Sequence, residues 1–175
     1  VVAGVRVVRV GHPARVMERL RQHTLDSVVE SHEHMRWVKE LYRNAEALFK
    51  KADGDSRSRH AFAAKADWRR EAKQHKADAR RLERDIIADV LDSADVICAT
   101  TTIDAEVLGD RTFDWVVVDE ACQSTESACW IPLQRGNSIL LAGDHCQLPP
   151  TVLSKEAAAQ GYARSMMQRL VERYG

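Results

Sequence analysis

Two short apolar runs, each ending abruptly in an acid, constrain this chain more than any other feature. Trp115 to Val118 runs into Asp119-Glu120, and Ile139 to Ala142 runs into Gly143-Asp144. Apolar runs this short, bounded by Gly and polar residues, predict strands buried on both faces, as in parallel sheets covered by helices. Both acids then stand at strand C-termini, the edge of an open α/β sheet at which ligands bind.

The bulk composition allows such a sheet a core. Of 175 residues, 45% are hydrophobic and 30% charged, which fits a globular chain and excludes disordered or fibrous classes. No apolar run approaches about 18 residues, so no membrane partner is expected. The opening VVAGVRVV carries no Met and no secretory pattern, and reads as a point inside a longer protein. Cys98, Cys122, Cys129 and Cys146 form no C-x-x-C pair. They read as reduced thiols of an intracellular protein, in the nucleus or cytoplasm. His32 and His34 are expected on different faces of a helix, as surface polarity and not as a metal site.

Along the chain, residues 5–10 alternate Val with Arg before Gly11-His12-Pro13, a strand ended by a turn. A short helix is expected over 13–21. Ser31 then reads as the N-cap of a longer helix, with Met35, Val38, Leu41, Tyr42, Ala45, Leu48 and Phe49 on one face. After a loop at 51–56, helical sequence runs to about Asp92 and buries Leu82, Ile86, Val90 and Leu91. Two long helices joined by a short loop predict an antiparallel hairpin. Between residues 56 and 85 the chain holds ten Lys or Arg against five acids. A strand over 95–100 leads into Thr100, Thr101 and Thr102, and a polar loop follows through Arg111. A helix or turn carries residues 124–130, and a last helix starts near Ser154. The order predicts an α/β fold in which a helical hairpin is inserted into a parallel-sheet domain.

An acidic pair after a buried strand suits magnesium-nucleotide chemistry. A hard cation takes carboxylate oxygen while keeping much of its water, and a neighbouring acid can orient and deprotonate an attacking water. Asp119 fits the first role and Glu120 the second, although a strand ended by solvated acids gives the same pattern. The second cluster, Gly143-Asp144-His145-Cys146-Gln147-Leu148-Pro149-Pro150, stands about 25 residues on. Its Gly permits close backbone approach, Asp and Gln offer polar groups, and two prolines stiffen the loop. Such a loop suits the sensing of a terminal phosphate.

Asp119-Glu120-Ala121-Cys122-Gln123 resembles motif II (Walker B) of the superfamily 1 helicases, and the Gly143 to Pro150 segment resembles their motif III. Cys129-Trp130-Ile131-Pro132-Leu133 and Gly11-His12-Pro13-Ala14-Arg15 extend the likeness. They point to the branch holding the immunoglobulin-mu-switch-region binding helicases and the RNA helicases of nonsense-mediated decay. The resemblance implies a partial RecA-like (P-loop NTPase) parallel sheet with an inserted antiparallel helical hairpin. Residues 1–30 would begin RecA-like domain 1A, 31–92 would form the hairpin subdomain, and 93–175 would hold the remainder with motifs II and III.

By the same resemblance, ATP and Mg2+ are the cofactors. Asp119 would hold the magnesium through water, Glu120 would be the catalytic base, and Gln147 would contact the γ-phosphate. Gln123 and Asp144 would line the nucleotide site and couple it to the nucleic-acid groove. Thr100, Thr101 and Thr102 match the segment whose hydroxyl touches a backbone phosphate of single-stranded DNA or RNA, a contact that positions without reading sequence. Ile103-Asp104 stands where the family has a small Gly-Ala pair, a departure from its pattern. Translocation would run 5′ to 3′. The basic hairpin could add phosphate contacts, but its interspersed acids favour a solvated face.

No G-x-x-x-x-G-K-[ST] loop occurs among these residues. The phosphate cradle and the arginine finger of a second RecA-like domain are therefore expected from the rest of a parent helicase. The 175 residues alone are expected to hydrolyse no ATP. The alternative is a non-catalytic helicase-like module that binds nucleic acid or a protein.

Overall fold

The computed structural model describes residues 4–11, 16–54, 59–144 and 146–175. The expected turn and helix start at His12-Pro13-Ala14-Arg15, the end of the 51–56 loop, Arg57 and His145 lie outside the described residues. Two compact units make up the chain, Val1–Ala99 and Thr100–Gly175. Among the described residues, no helix is long and apolar enough to cross a membrane.

In the first unit, β1 (Val7–Arg9) pairs in parallel with β2 (Val96–Cys98), Val8 opposite Ile97. Arg6 pins the start of this pair, its backbone N–H and its guanidinium both donating to Asp95. A 3-10 turn over Glu18–His23 leads to α1 (Leu25–Ser31). Thr24 is almost fully buried and caps α1 by accepting from the Ser27 N–H at 3.4 Å. The helix boundary expected at Ser31 is thus corrected. Ser31 ends α1, its hydroxyl turned back onto the Ser27 carbonyl at 2.5 Å, and α2 (Met35–Asp53) starts after a break. The break also corrects the view of His32 and His34, whose rings meet edge to face at 5.2 Å. His32 lies 3.2 Å from Asp89, which ties the break to α3 (Arg59–Asp92).

α2 and α3 run antiparallel, because their contacts descend one helix as they climb the other. His32 meets Asp89, Tyr42 donates to Glu83 at 3.3 Å, Lys76 sits 5.0 Å over the Phe49 ring, and Arg69 pairs with Asp53 at 3.0 Å. Their seam consists of fully buried residues seven apart: Val38, Ala45 and Ala52 on one helix, Ala72, Ala79 and Ile86 on the other. A seven-residue repeat keeps a seam facing its partner in coiled-coil fashion, and alanine lets the backbones approach closely.

In the second unit, a short α4 (Ala105–Leu108) precedes β3 (Phe113–Val118), α5 (Glu126–Leu133) and β4 (Gly136–Leu141). β3 and β4 pair in parallel, from Phe113 opposite Gly136 to Val118 opposite Leu141. The last helix is not continuous from Ser154. α6 (Lys155–Ala157) runs into a wide turn broken at Gly161, with φ 92°, and Ser165 caps a separate α7 (Met166–Tyr174). Val118, Ala121, Cys129, Leu133 and Met166 form the buried core, with Val116, Leu141, Met167 and Leu170 against it.

The expectation that both strand faces are buried is corrected here. α5 and α7 pack on the same face as Val116, Val118 and Leu141. The alternate residues Trp115, Val117 and Leu140 are 63%, 58% and 51% exposed. Side chains alternate across a sheet, so helices on one side cover every second residue.

Across the second unit's helices, the Arg169 guanidinium grips Glu126 with two hydrogen bonds, 2.9 and 2.6 Å. The Arg169 hydrogen bonds hold the Glu126 carboxyl below its ordinary value near 4.5, assisted by their Coulombic attraction and opposed by desolvation. A depressed folded-state value means that the stabilisation is present at neutral pH and lost as pH falls through that value. Glu126→Gln in the full-length protein is therefore expected to lower hydrogen-exchange protection of α7 amides at pH 7 by about 1 kcal/mol or less, the pair being a third exposed. The gap from wild type should narrow as pH falls below about 4. A gap independent of pH would show that the pair does not tie α7 down electrostatically.

Candidate functional site

The C-terminal ends of β3 and β4 lie side by side, and the loops leaving them are joined by one further rung. Ala142 N–H donates to the Val118 carbonyl and Ala121 N–H to the Ala142 carbonyl, both at 2.9 Å. This rung needs the loops to approach closely, and Gly143, with φ 146°, makes that possible. A Cβ there would lie 3.2 Å from Ala121 N and 3.3 Å from Cys122 Sγ.

On the β3 side, Asp119 and Glu120 are both exposed at the edge. Asp119 Oδ1 accepts the Glu120 N–H at 3.0 Å. Among the described residues Glu120 is the one non-glycine residue with positive φ, 52°. A left-handed conformation costs about 1–2 kcal/mol for such a residue and persists where surrounding bonds impose it. Three surrounding contacts do so. Gln123 N–H donates to the Glu120 carbonyl at 2.9 Å, Gln123 Nε2 donates to Glu120 Oε2 at 3.1 Å, and Cys122 Sγ lies 3.9 Å from the same oxygen. Cys122 is buried beneath the acid. Its contact with Glu120 was not anticipated from sequence, where the one available signal is a thiol two residues after an acid at a strand end.

On the β4 side, the Asp144 carboxylate accepts the Cys146 N–H at 2.9 Å and the Gln147 side-chain amide at 3.3 Å, while Gln147 N–H donates to the Asp144 carbonyl at 3.1 Å. Gln147 is thus folded back onto its own loop and exposed. One edge therefore gathers Asp119, Glu120 and Gln123 from the first loop with Asp144 and Gln147 from the second.

Thr100, Thr101 and Thr102 open the second unit, ahead of α4. They lie in a turn closed by the Ile103 N–H on the Thr100 carbonyl, 3.1 Å. Asp104, which departs from the family pattern, caps α4 by accepting the Glu106 N–H at 3.0 Å. Among the described residues no cysteine forms a disulfide; Cys122 and Cys129 are buried, Cys98 and Cys146 exposed. Burial pushes the Cys129 thiol up, against a hydrogen bond from Ser124 that lowers it.

The donor set at the edge is all hard oxygen. Among the described residues no three or more His, Cys, Asp or Glu side chains come together as a metal cage. Magnesium is commonly held by one or two carboxylates together with substrate phosphates and water, so Asp119 with Glu120 beside it fits that ion.

The chain matches the family described as "AAA domain" over residues 2–155. It is 38% identical over 175 aligned residues to the DNA-binding protein SMUBP-2 of Mesocricetus auratus, covering 97% of this chain and 17% of that protein. An uncharacterized ATP-dependent helicase of Methanocaldococcus jannaschii is 30% identical over 200 residues, covering 97% of this chain and 30% of its own length. A regulator of nonsense transcripts 1 homolog of Arabidopsis thaliana is 43% identical over 94 residues, covering 53% of this chain and 8% of its own. The chain spans less than a third of the length of each of these relatives.

Proposed function

Because the chain belongs to the AAA domain family and is of superfamily 1 helicase type, we propose that it carries the acidic half of the ATP site of a nucleic-acid-dependent ATPase. The observation that carries this reading is the Gly143 contact. It closes the two strand-end loops on each other and gathers their polar groups at one sheet edge.

In this reading Asp119 would hold Mg2+, which when bound would supply charge neutralisation for the phosphates. Glu120 takes the proton of the attacking water, its carboxylate steadied by Gln123 and Cys122. Gln147 senses the γ-phosphate, which requires it to swing from Asp144 toward the nucleotide. Asp144 and Gln123 pass that change between the two loops. Thr100, Thr101 and Thr102 contact the phosphates of single-stranded DNA or RNA, along which the protein translocates 5′ to 3′.

The cradle for the β- and γ-phosphates and the arginine finger come from other segments of a longer protein, so these 175 residues alone hydrolyse no ATP. The hairpin of 31–92 is an insertion within RecA-like domain 1A, flanked by 1–30 and 93–175. An intracellular setting, nuclear or cytoplasmic, accords with two exposed cysteines, Cys98 and Cys146, outside any disulfide.

Phosphate release by the full-length protein is expected to need Mg2+ and to rise with a single-stranded oligonucleotide. Asp119→Asn should lower it by about 10–100-fold, the usual effect of removing a group that acts on a metal through its outer shell. Oligonucleotide binding without any stimulated hydrolysis would instead identify a non-catalytic module.

A further inference from the structure

Counted along the chain, the charges of α3 look mixed; on the helix they are sorted. At about 100° per residue, Asp67, Glu71, Asp78, Asp85 and Asp89 fall within an arc of about 40° that holds no Lys or Arg. Leu82 stands between this arc and the seam residues Ala72, Ala79 and Ile86. On α2, Trp37, Leu41 and Leu48 share an arc of about 40° beside the seam residues Val38, Ala45 and Ala52.

The two flanks of the hairpin seam are finished differently. On one, Tyr42, Phe49 and Asp53 of α2 meet Glu83, Lys76 and Arg69 of α3. There α1 packs at the base, its Leu25 and Val29 lining a cavity with Met35, Glu83 and Ile87. The other flank carries Trp37, Leu41 and Leu48 from α2, and Leu82 with the acid arc from α3. Its leucines are half-buried, and Trp37 is 48% exposed with the Arg36 guanidinium 4.8 Å from its ring centre. Of the acids, Asp67 pairs with Arg70, Glu71 lies 3.9 Å from His75, Asp89 meets His32, and Asp78 accepts from Gln74. Asp85 makes no ion pair or hydrogen bond among the described residues. Like charges four residues apart, Asp67 with Glu71 and Asp85 with Asp89, repel and weaken a helix. An apolar groove walled by acids kept at that cost suits an apolar surface that brings its own cations.

We infer that this flank is a docking groove for a basic amphipathic helix of another protein. The partner's apolar stripe sits on Trp37, Leu41, Leu48 and Leu82, and its Lys or Arg residues run along the acids of α3. The dimensions suit one helix. Trp37 to Leu48 spans about 16 Å and Glu71 to Asp89 about 27 Å, the length of about 18 helical residues. A helix laid in such a groove is held by apolar anchors at three- and four-residue spacing, and a tryptophan is the side chain most often found to dominate such contacts. The open face of the Trp37 indole also attracts a cation, as Arg36 already shows. The acid wall argues against the other polymeric occupants, because it repels the phosphates of nucleic acid and of anionic lipid. None of this depends on the nucleotide site, which lies in the other unit.

The test is fluorescence anisotropy of a labelled peptide of about 18 residues titrated with the full-length protein. The peptide is built of Leu, Ala and Lys, with Leu at three- and four-residue spacing and Lys along one side of that stripe. Trp37→Ala should weaken binding at least about 10-fold, as loss of a dominant anchor does. Asp78→Asn with Asp85→Asn should weaken it about 3–10-fold and flatten its salt dependence, the charges being exposed. These two carboxamides keep size and shape at exposed positions, so they test the groove even where Trp37→Ala disturbs the hairpin. Glu46→Gln, on the first flank of α2, should leave affinity unchanged. A peptide with Glu in place of Lys should bind at least about 10-fold more weakly than the Lys peptide. Failure of the protein to bind the Lys peptide overturns the inference, and so does equal affinity of wild type, Trp37→Ala and the Asn pair. A loss of oligo-dT binding in Trp37→Ala, with peptide binding unchanged, would make the groove a nucleic-acid surface and overturns it as well.

Discussion

Glu120→Gln is expected to reduce nucleic-acid-stimulated ATP hydrolysis by the full-length protein about 10²–10⁴-fold, the usual contribution of a positioned general base, while nucleotide affinity stays near wild type. The substitution preserves shape, so the left-handed turn at Glu120 and the Asp119 Oδ1 bond to its N–H need not change. It removes the proton acceptor. It also leaves one oxygen to receive the Gln123 amide, which now donates to Oε2 at 3.1 Å. Radioactive phosphate release measures turnover, and fluorescent nucleotide titration measures affinity. Turnover close to wild type would remove Glu120 from the base role. An equal loss of both quantities would make it a structural residue of the turn.

The acid edge was legible because strand ends carry strong local signals. An apolar run stopped by Asp119-Glu120, and another stopped by Gly143-Asp144, already place both acids at C-terminal strand ends, and the Gly predicts close approach. The opposite sheet face was not legible. Trp115, Val117 and Leu140 read as buried because a parallel pair is ordinarily covered on both sides, whereas here α5 and α7 share one side. Helix boundaries failed for a local reason. Ser31 has the chemistry of an N-cap, but its hydroxyl closes α1 while the buried Thr24 caps that helix.

The helical hairpin shows a third kind of limit. Beside the expected Val38, Ala45 and Ile86, its seam rests on Ala52, Ala72 and Ala79, which a search for large apolar residues passes over, although the seven-residue spacing is present in the sequence. The charge sorting of α3 was equally available, since angular position follows from residue number once one unbroken helix is established. Counting residues in a window discards that information. Contacts made within an irregular loop cannot be obtained this way, because the Cys122 thiol meets Glu120 through a turn whose φ no sequence rule fixes.

Gly143→Ala should separate the coupling of the two loops from ordinary stability. The new Cβ would sit 3.2 Å from Ala121 N, whose hydrogen bond to the Ala142 carbonyl joins the loops, and 3.3 Å from the Cys122 sulfur beneath Glu120. At φ 146° the strained backbone adds a cost of about 1–3 kcal/mol. The expected result is a modest fall in thermal stability with a disproportionate fall in kcat, on the order of 10-fold for a shift of a few tenths of an ångström at the base, where a full 1 Å would cost about 10²-fold. Gly136→Ala provides the control. Its Cβ would press on Val116 Cγ2 at 2.8 Å, but at the opposite end of the β3–β4 register, where Gly136 faces Phe113. Six residues, about 20 Å, separate Phe113 at that end from Asp119. The control should lose stability and keep its turnover per folded molecule. Equal losses of kcat in the two variants would show that turnover follows sheet stability, and that the close approach at Gly143 does not itself hold Glu120 in place.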